Sequence, residues 1–237
     1  MEPTILAAVP TASSQSLYFG FCAAFVARPL VVRDPPASLD RMETSAAASP
    51  RRRERNENDD KLPPEVEQRR QMALRHVRQY PDPVLRVPTE DVTEFDDELA
   101  ALVERMSSIM GDAYGIGLAG PQLGLRLRLF TFQPEEGDAE AVINPKVVWS
   151  NDETDLEDEG CLSLGDKVRV PVARPTAIKV EAQTLDGSAK TWEFEAGDYY
   201  ARVFQHEIDH LDGVLMIDRT TDTARRAEAM GHLRPRP

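Results

Sequence analysis

Cysteine is nearly absent from this chain: Cys22 and Cys161 are the only two in 237 residues. Two thiols so far apart make no disulfide framework, which suits a reducing compartment and leaves Cys161 free for chemistry. Aromatics are sparse at 6%. A positive excess is missing too. The formal charge is −13, which argues against nucleic-acid binding by a basic surface of the folded part. No apolar run reaches the ~20 residues of a membrane-spanning helix. The longest, Leu17 to Val32, is broken by Arg28 and Pro29. A secretory signal needs a basic start, yet Glu2 is the only charge before Arg28.

The charge is unevenly spread. Residues 1–71 balance acids against bases, so the whole imbalance falls on 72–237. The first forty residues are rich in Ala and Ser, with few acids and few arginines. From Asp40 to Gln71 the composition turns to Ala, Ser, Pro and mixed charge, including Arg51-Arg52-Arg53. This predicts a disordered extension over 1–71, read as a transit peptide or as the product of a true start at Met42 or Met72, and a catalytic domain over 72–237.

Order is expected from Leu74. Arg75 to Tyr80 alternates like a short strand, stopped by Pro81-Asp82-Pro83. Leu99, Leu102, Val103, Met106, Ile109 and Met110 form one helical face, with Asp96 and Asp97 at its favourable N-terminal end. Strands are expected at Leu125–Phe132, Ala141–Pro145, Val168–Val172 and Ala177–Gln183. Thr191–Phe194 should pair back across the Leu185-Asp186-Gly187 turn. Asp198 can cap a helix that ends at Asp212-Gly213. Beyond it the chain is polar, with a short helix around Ala224–Met230. The class is α+β: short antiparallel β-sheets packed around a central metal-binding α-helix.

That helix carries Gln205-His206-Glu207-Ile208-Asp209-His210-Leu211. Histidines at i and i+4 share one helical face and can chelate one metal ion, with Glu207 at the rim to hold a water. By itself the pattern also fits an exposed helix with acids among two histidines. A catalytic site needs a third protein ligand and an open position. Downstream candidates are Asp212, Asp218, Asp222, Glu228 and His232; the upstream one is Cys161, a strong ligand if not simply a small buried side chain. Gly115 to Gly124 holds four glycines in ten residues. It reads as a tight turn, or as backbone lying against a substrate with Gln122 offering an amide; it lacks the signature of a phosphate cradle.

Three motifs in order, Gly115-Ile116-Gly117-Leu118-Ala119-Gly120-Pro121-Gln122, Glu159-Gly160-Cys161-Leu162-Ser163 and Gln205 to Leu211, resemble those of the peptide deformylases over roughly residues 73–218. The resemblance implies that Cys161, His206 and His210 bind a metal, commonly Fe2+, with Zn2+, Ni2+ or Co2+ as substitutes. It implies that Glu207 manages the proton of an activated water, and that Gln122 and the backbone N–H of Leu162 stabilise the oxyanion. It further implies that the substrate is an N-formylmethionyl nascent peptide, held by Gly115, Ile116, Gly117 and Gly160 as an added strand. An apolar wall from Ile116 and residues near Val203 and His206 would take the methionine. Glu159 is the expected acceptor for a ligand histidine. Transient ribosome contact, without direct nucleic-acid or membrane binding, follows from such a substrate. Bacterial cytoplasm is the implied location, with an organelle second.

Gly120 and Gly165 depart from the family pattern, which usually has Ala and Pro there, and spacing toward Arg174-Pro175 differs by about one residue. Two other classes stay open: a metallopeptidase with its third ligand after the helix, and a silent deformylase-like binding protein.

Overall fold

A computed structural model describes residues 62–233. The sequence expectations for residues 1–61 lie outside the described residues. The first element is helix α1 (Pro64–Leu74), with Pro64 in its first turn, where a missing N–H costs nothing. The boundary expected at 71/72 therefore falls inside a helix. The charged, low-hydropathy composition that suggested disorder here is that of a mostly exposed helix, which buries Ala73.

No strand follows it. The N–H groups of Arg75, His76 and Val77 return to the carbonyls of Met72, Ala73 and Leu74. Those of Arg78 and Tyr80 go to Gln122 and Ser163 at 2.6 and 2.9 Å. The alternation is real, and it buries Val77, but these donors meet loops rather than a neighbouring strand. A one-turn 3₁₀ segment, Pro83–Arg86, is capped by the Asp82 carboxylate.

Helix α2 (Asp97–Asp112) matches its expected span, with the Asp96 side chain accepting from Leu99 N–H. Strands β1 (Gly117–Ala119), β2 (Leu129–Phe132), β3 (Glu140–Ser150), β6 (Ile178–Gln183) and β7 (Ala189–Phe194) form one antiparallel sheet in the order β1-β2-β3-β6-β7. Strands β4 (Thr154–Gly160) and β5 (Arg169–Pro175) form a separate antiparallel pair. The β3 strand runs further than the expected Ala141–Pro145. Its register shifts between Ile143 and Lys146, which lets Asn144 take φ +53° while Pro145 withholds its N–H. The Asn144 amide then bonds Val92 and Gln183.

Helix α3 (Tyr199–Leu211) begins at its Asp198 cap. It lies on one face of the large sheet. Phe204 fills the centre, edge-on to Phe130, Phe132 and Phe194, with Trp192 tilted beside it. The alternate residues of β2 and β3, Leu129 and Ile143, meet Leu99, Val103 and Met106 of α2 on the other face. Helix α3 is thus held by a packed aromatic cluster while its other side turns toward β4–β5. A one-turn helix α4 (Met216–Arg219) and helix α5 (Thr223–Leu233) cover Val168, Val170 and Val172 near β5. Short antiparallel sheets around one central helix are what the pattern predicted. Among the described residues no helix is long and apolar enough to cross a membrane.

Candidate active site and metal centre

Helix α3 presents His206 and His210 one turn apart, with ring centroids 5.0 Å apart. Cys161, just past the end of β4, reaches the same place: its Sγ lies 3.2 Å from His210 Nε2. One ligand atom from each of the three falls within 4.8 Å of the others. The downstream candidates are engaged elsewhere. Asp212 pairs with Arg128 at 2.7 Å, Asp218 with Arg86, and Glu228 lies beside His232. Asp222 caps the start of α5. Among the described residues, Cys161 and none of the downstream candidates joins the two histidines.

The surrounding polar groups fix this trio. Glu159 Oε2 lies 2.9 Å from His206 Nδ1, leaving Nε2 to face the cluster. Its carboxylate also takes Arg174 Nε and Nη2 at 2.6 and 2.9 Å and Arg202 Nη1 at 2.8 Å. Burial would raise this carboxyl, but the bonds from Arg174 and His206 outweigh it and hold it well below the usual range. Arg174 continues to Asp209, which Arg219 holds from its other side.

Glu207 is buried, and its Oε2 has no hydrogen-bond partner. Burial pushes its carboxyl up to about 7, helped by Glu159 and opposed by His206 and Arg174. It fits only because residue 117 is glycine: a Cβ there would stand 2.8 Å from Glu207 Cγ and closer still to the carboxylate. At His206 burial acts downward, but bonds to Cys161 and Glu159 prevail and hold the imidazole well above its usual range. At His210, by contrast, burial and then the neighbouring His206 hold the imidazole well below its usual range. A thiolate and two imidazoles are a donor set that binds zinc or ferrous iron. The residues present fit a divalent metal.

Gln122 is oriented from both ends of its amide. Oε1 accepts from Ala119 N–H at 2.8 Å, while Nε2 donates to Ser163 Oγ at 3.3 Å and points at Cys161 Sγ, 3.7 Å away. The Leu162 N–H shares a trans peptide plane with the Cys161 carbonyl, which accepts from Leu164 N–H; it therefore points the opposite way.

A cavity of about 320 Å³ opens onto this chemistry. Gly115, Ile116 and Gly117 line one side, and Glu157 to Leu162 another. Both sides end in strands with an edge left unpaired among the described residues, where β1 pairs only with β2 and β4 only with β5. Val203 and His206 reach the lining as expected. Arg202 and Tyr199 line it too, so the wall is less apolar than expected. Sequence reasoning missed Arg174, Arg202 and Asp209; Asp209 stood inside the third motif, while Arg174 and Arg202 gave no local signal. At Gly165 the backbone has φ +81°, a conformation closed to proline, in keeping with the departure noted there.

An α+β scaffold that brings an H-E-x-x-H helix, a cysteine and an oriented amide to one cleft defines a metal-dependent hydrolase. Comparison with known proteins gives the particular family. Residues 74–226 match the polypeptide deformylase family model. The chain is 45% identical over 152 residues to a peptide deformylase of Acidobacterium capsulatum, covering 62% of this chain and 87% of that one. It is 38% identical over 168 residues to the chloroplastic/mitochondrial peptide deformylase 1B of Arabidopsis thaliana, covering 69% and 60%. Among solved structures, the Thermotoga maritima peptide deformylase is 43% identical, with TM-score 0.58 over 61% of this chain and 96% of that one. A Synechococcus elongatus peptide deformylase bound to actinonin is 33% identical, with TM-score 0.62 over 68% and 91%. The chain belongs to the peptide deformylase family.

Proposed function

We propose that this chain removes the formyl group from the N-terminal formyl-methionine of newly made proteins, and that Cys161, His206 and His210 hold the metal that makes this possible. The observation that carries the reading is the unpartnered Glu207 Oε2 beside that trio, in a cleft between two free strand edges. Fe2+ is the proposed resident, with Zn2+, Ni2+ or Co2+ able to substitute in the same donor set. Held there by Cys161, His206 and His210, such a metal would supply Lewis acidity, lowering the pKa of a water and polarising the formyl oxygen.

The protein's own groups do the rest. Glu207 Oε2 takes the water's proton and passes it to the amine nitrogen as formate leaves, a role suited to a carboxyl raised to about 7. Gln122 Nε2 and the Leu162 N–H stabilise the negative oxygen of the tetrahedral carbon. The free edges at Gly115–Gly117 and Gly160 take the peptide backbone as an added strand. Ile116, Val203 and His206 receive the methionine side chain. Glu159 sets the tautomer of His206 and leaves its Nε2 lone pair for the metal.

The location is the bacterial cytoplasm or an organelle, where formyl-methionine begins proteins, and ribosome contact is transient. The test is formate release from a formyl-Met-Ala-Ser peptide by protein purified without oxygen and loaded in turn with iron, nickel and zinc. Release with at least one metal, lost in Cys161→Ala, is the expected result. Silence with every metal on folded, loaded protein would overturn the reaction and favour a binding role.

A further inference from the structure

The cavity wall includes one residue from outside the matched family region. Arg70 belongs to α1, ahead of residue 74, and it lines the same cavity as Cys161 and Glu207. Its guanidinium forms a two-pronged pair with Asp166: Nη1 donates to Oδ2 at 3.0 Å and Nη2 to Oδ1. The Arg70 side chain is only 13% exposed, while that of Asp166 is 61% exposed. The pair therefore stands where the cavity meets solvent, with Asp166 in the open and the Arg70 side chain largely covered beside it.

Position gives it a task. Asp166 lies on the turn that carries Cys161 into β5, just after Gly165 with its φ of +81°. Ala73 of α1 and Leu162 pack in one apolar cluster, so the end of α1 is fixed against the loop that holds the reacting end. A peptide with its formyl group at Cys161, His206 and His210 must leave through the mouth. A guanidinium has five N–H donors in a rigid fork, and two serve Asp166. Among the described residues Asp166 is the one side-chain partner of Arg70, so the other donors can serve peptide carbonyls, and the fork is already ordered, so little freedom is lost on binding.

Resting on the deformylase reading, we infer that Arg70, pinned by Asp166, is a substrate-positioning residue for the part of the peptide beyond the formyl-methionine. Helix α1 would then belong to the substrate site of the enzyme.

The experiment is a length series on the metal-loaded full chain, comparing formyl-Met-Ala with formyl-Met-Ala-Ser-Lys-Phe. Arg70→Ala should raise KM for the longer peptide about tenfold, the scale of a lost hydrogen bond to a charged group. The rise on the shorter peptide should be far smaller, and kcat should move less than KM. Arg70→Lys should recover part of the affinity. The double variant Arg70→Ala/Asp166→Ala should cost no more than Arg70→Ala alone, because the two act as one unit. Equal losses at both lengths, or no loss at either, would overturn the inference. Calorimetric binding of the unformylated peptides Met-Ala and Met-Ala-Ser-Lys-Phe reads the same length dependence without turnover. A silent wild type would sink the reaction, while Arg70 would still be judged by that binding.

Discussion

Glu159 and His206 form the hinge between the structural and chemical halves of this site. One carboxylate oxygen lies 2.9 Å from His206 Nδ1, and the same carboxylate is gripped by the buried guanidiniums of Arg174 and Arg202. The imidazole is thereby fixed in one orientation, with Nδ1 toward Glu159. Removing an acceptor of this kind costs about 10- to 100-fold in metal affinity. Glu159→Gln should show that loss in a chelator competition, with the helical content kept. Metal affinity equal to wild type would mean that packing alone orients His206.

Gly117 and Glu207 set a second expectation. A Cβ at residue 117 would overlap the Glu207 side chain. Gly117→Ala should displace the buried carboxylate and lower kcat sharply while the three metal ligands stay intact. Glu207→Ala should do the same by removing the proton carrier, worth roughly 10²–10⁴ in rate. Both variants should bind metal stoichiometrically by elemental analysis. Turnover at the wild-type rate in Glu207→Ala would remove it from the mechanism.

Gln122 has its carbonyl committed to Ala119 N–H, so its amide N–H₂ faces the cleft. Gln122→Leu keeps the volume and deletes the donor. A true oxyanion donor of this kind is worth about 10²–10³ in kcat, with a smaller change in KM. An unchanged kcat under saturating peptide would exclude that role.

Much of this was legible in the sequence, and the gaps have physical causes. Helices α2 and α3 and strands β6 and β7 announce themselves through period and capping, because each buries one face, α3, β6 and β7 in one core and α2 in the core across the sheet. Cys161, His206 and His210 converge as the motifs imply. The β4 strand is invisible by pattern: Thr154 to Gly160 exposes both faces, and Glu159 is its one buried side chain. Its backbone pairing with β5, rather than any apolar alternation, defines it. Arg75 to Tyr80 misleads in the opposite sense, since it alternates but has no strand beside it. The Arg174 contacts join residues 15 and 35 positions away, which no local pattern encodes.

That network yields the last expectation. Arg174 is 4% exposed and bridges Glu159 to Asp209, joining β5 to both the end of β4 and helix α3. Burial works against the charge on this guanidinium, yet the two carboxylates raise its pKa further above the ordinary range. Breaking such a pair strands buried charge and costs about 3–5 kcal/mol. Here Arg202 still holds Glu159 and Arg219 still holds Asp209, which places Arg174→Ala near the lower end, about 3 kcal/mol. In a domain of this size that is a fall in Tm of about 10 °C. Arg174→Lys should lose nearly as much, because an ammonium is a point charge and cannot span both carboxylates as the guanidinium fork does. Differential scanning calorimetry of the metal-free and metal-loaded forms would measure both variants. A Tm within about 2 °C of wild type would show that Arg202 and Arg219 carry the network without Arg174.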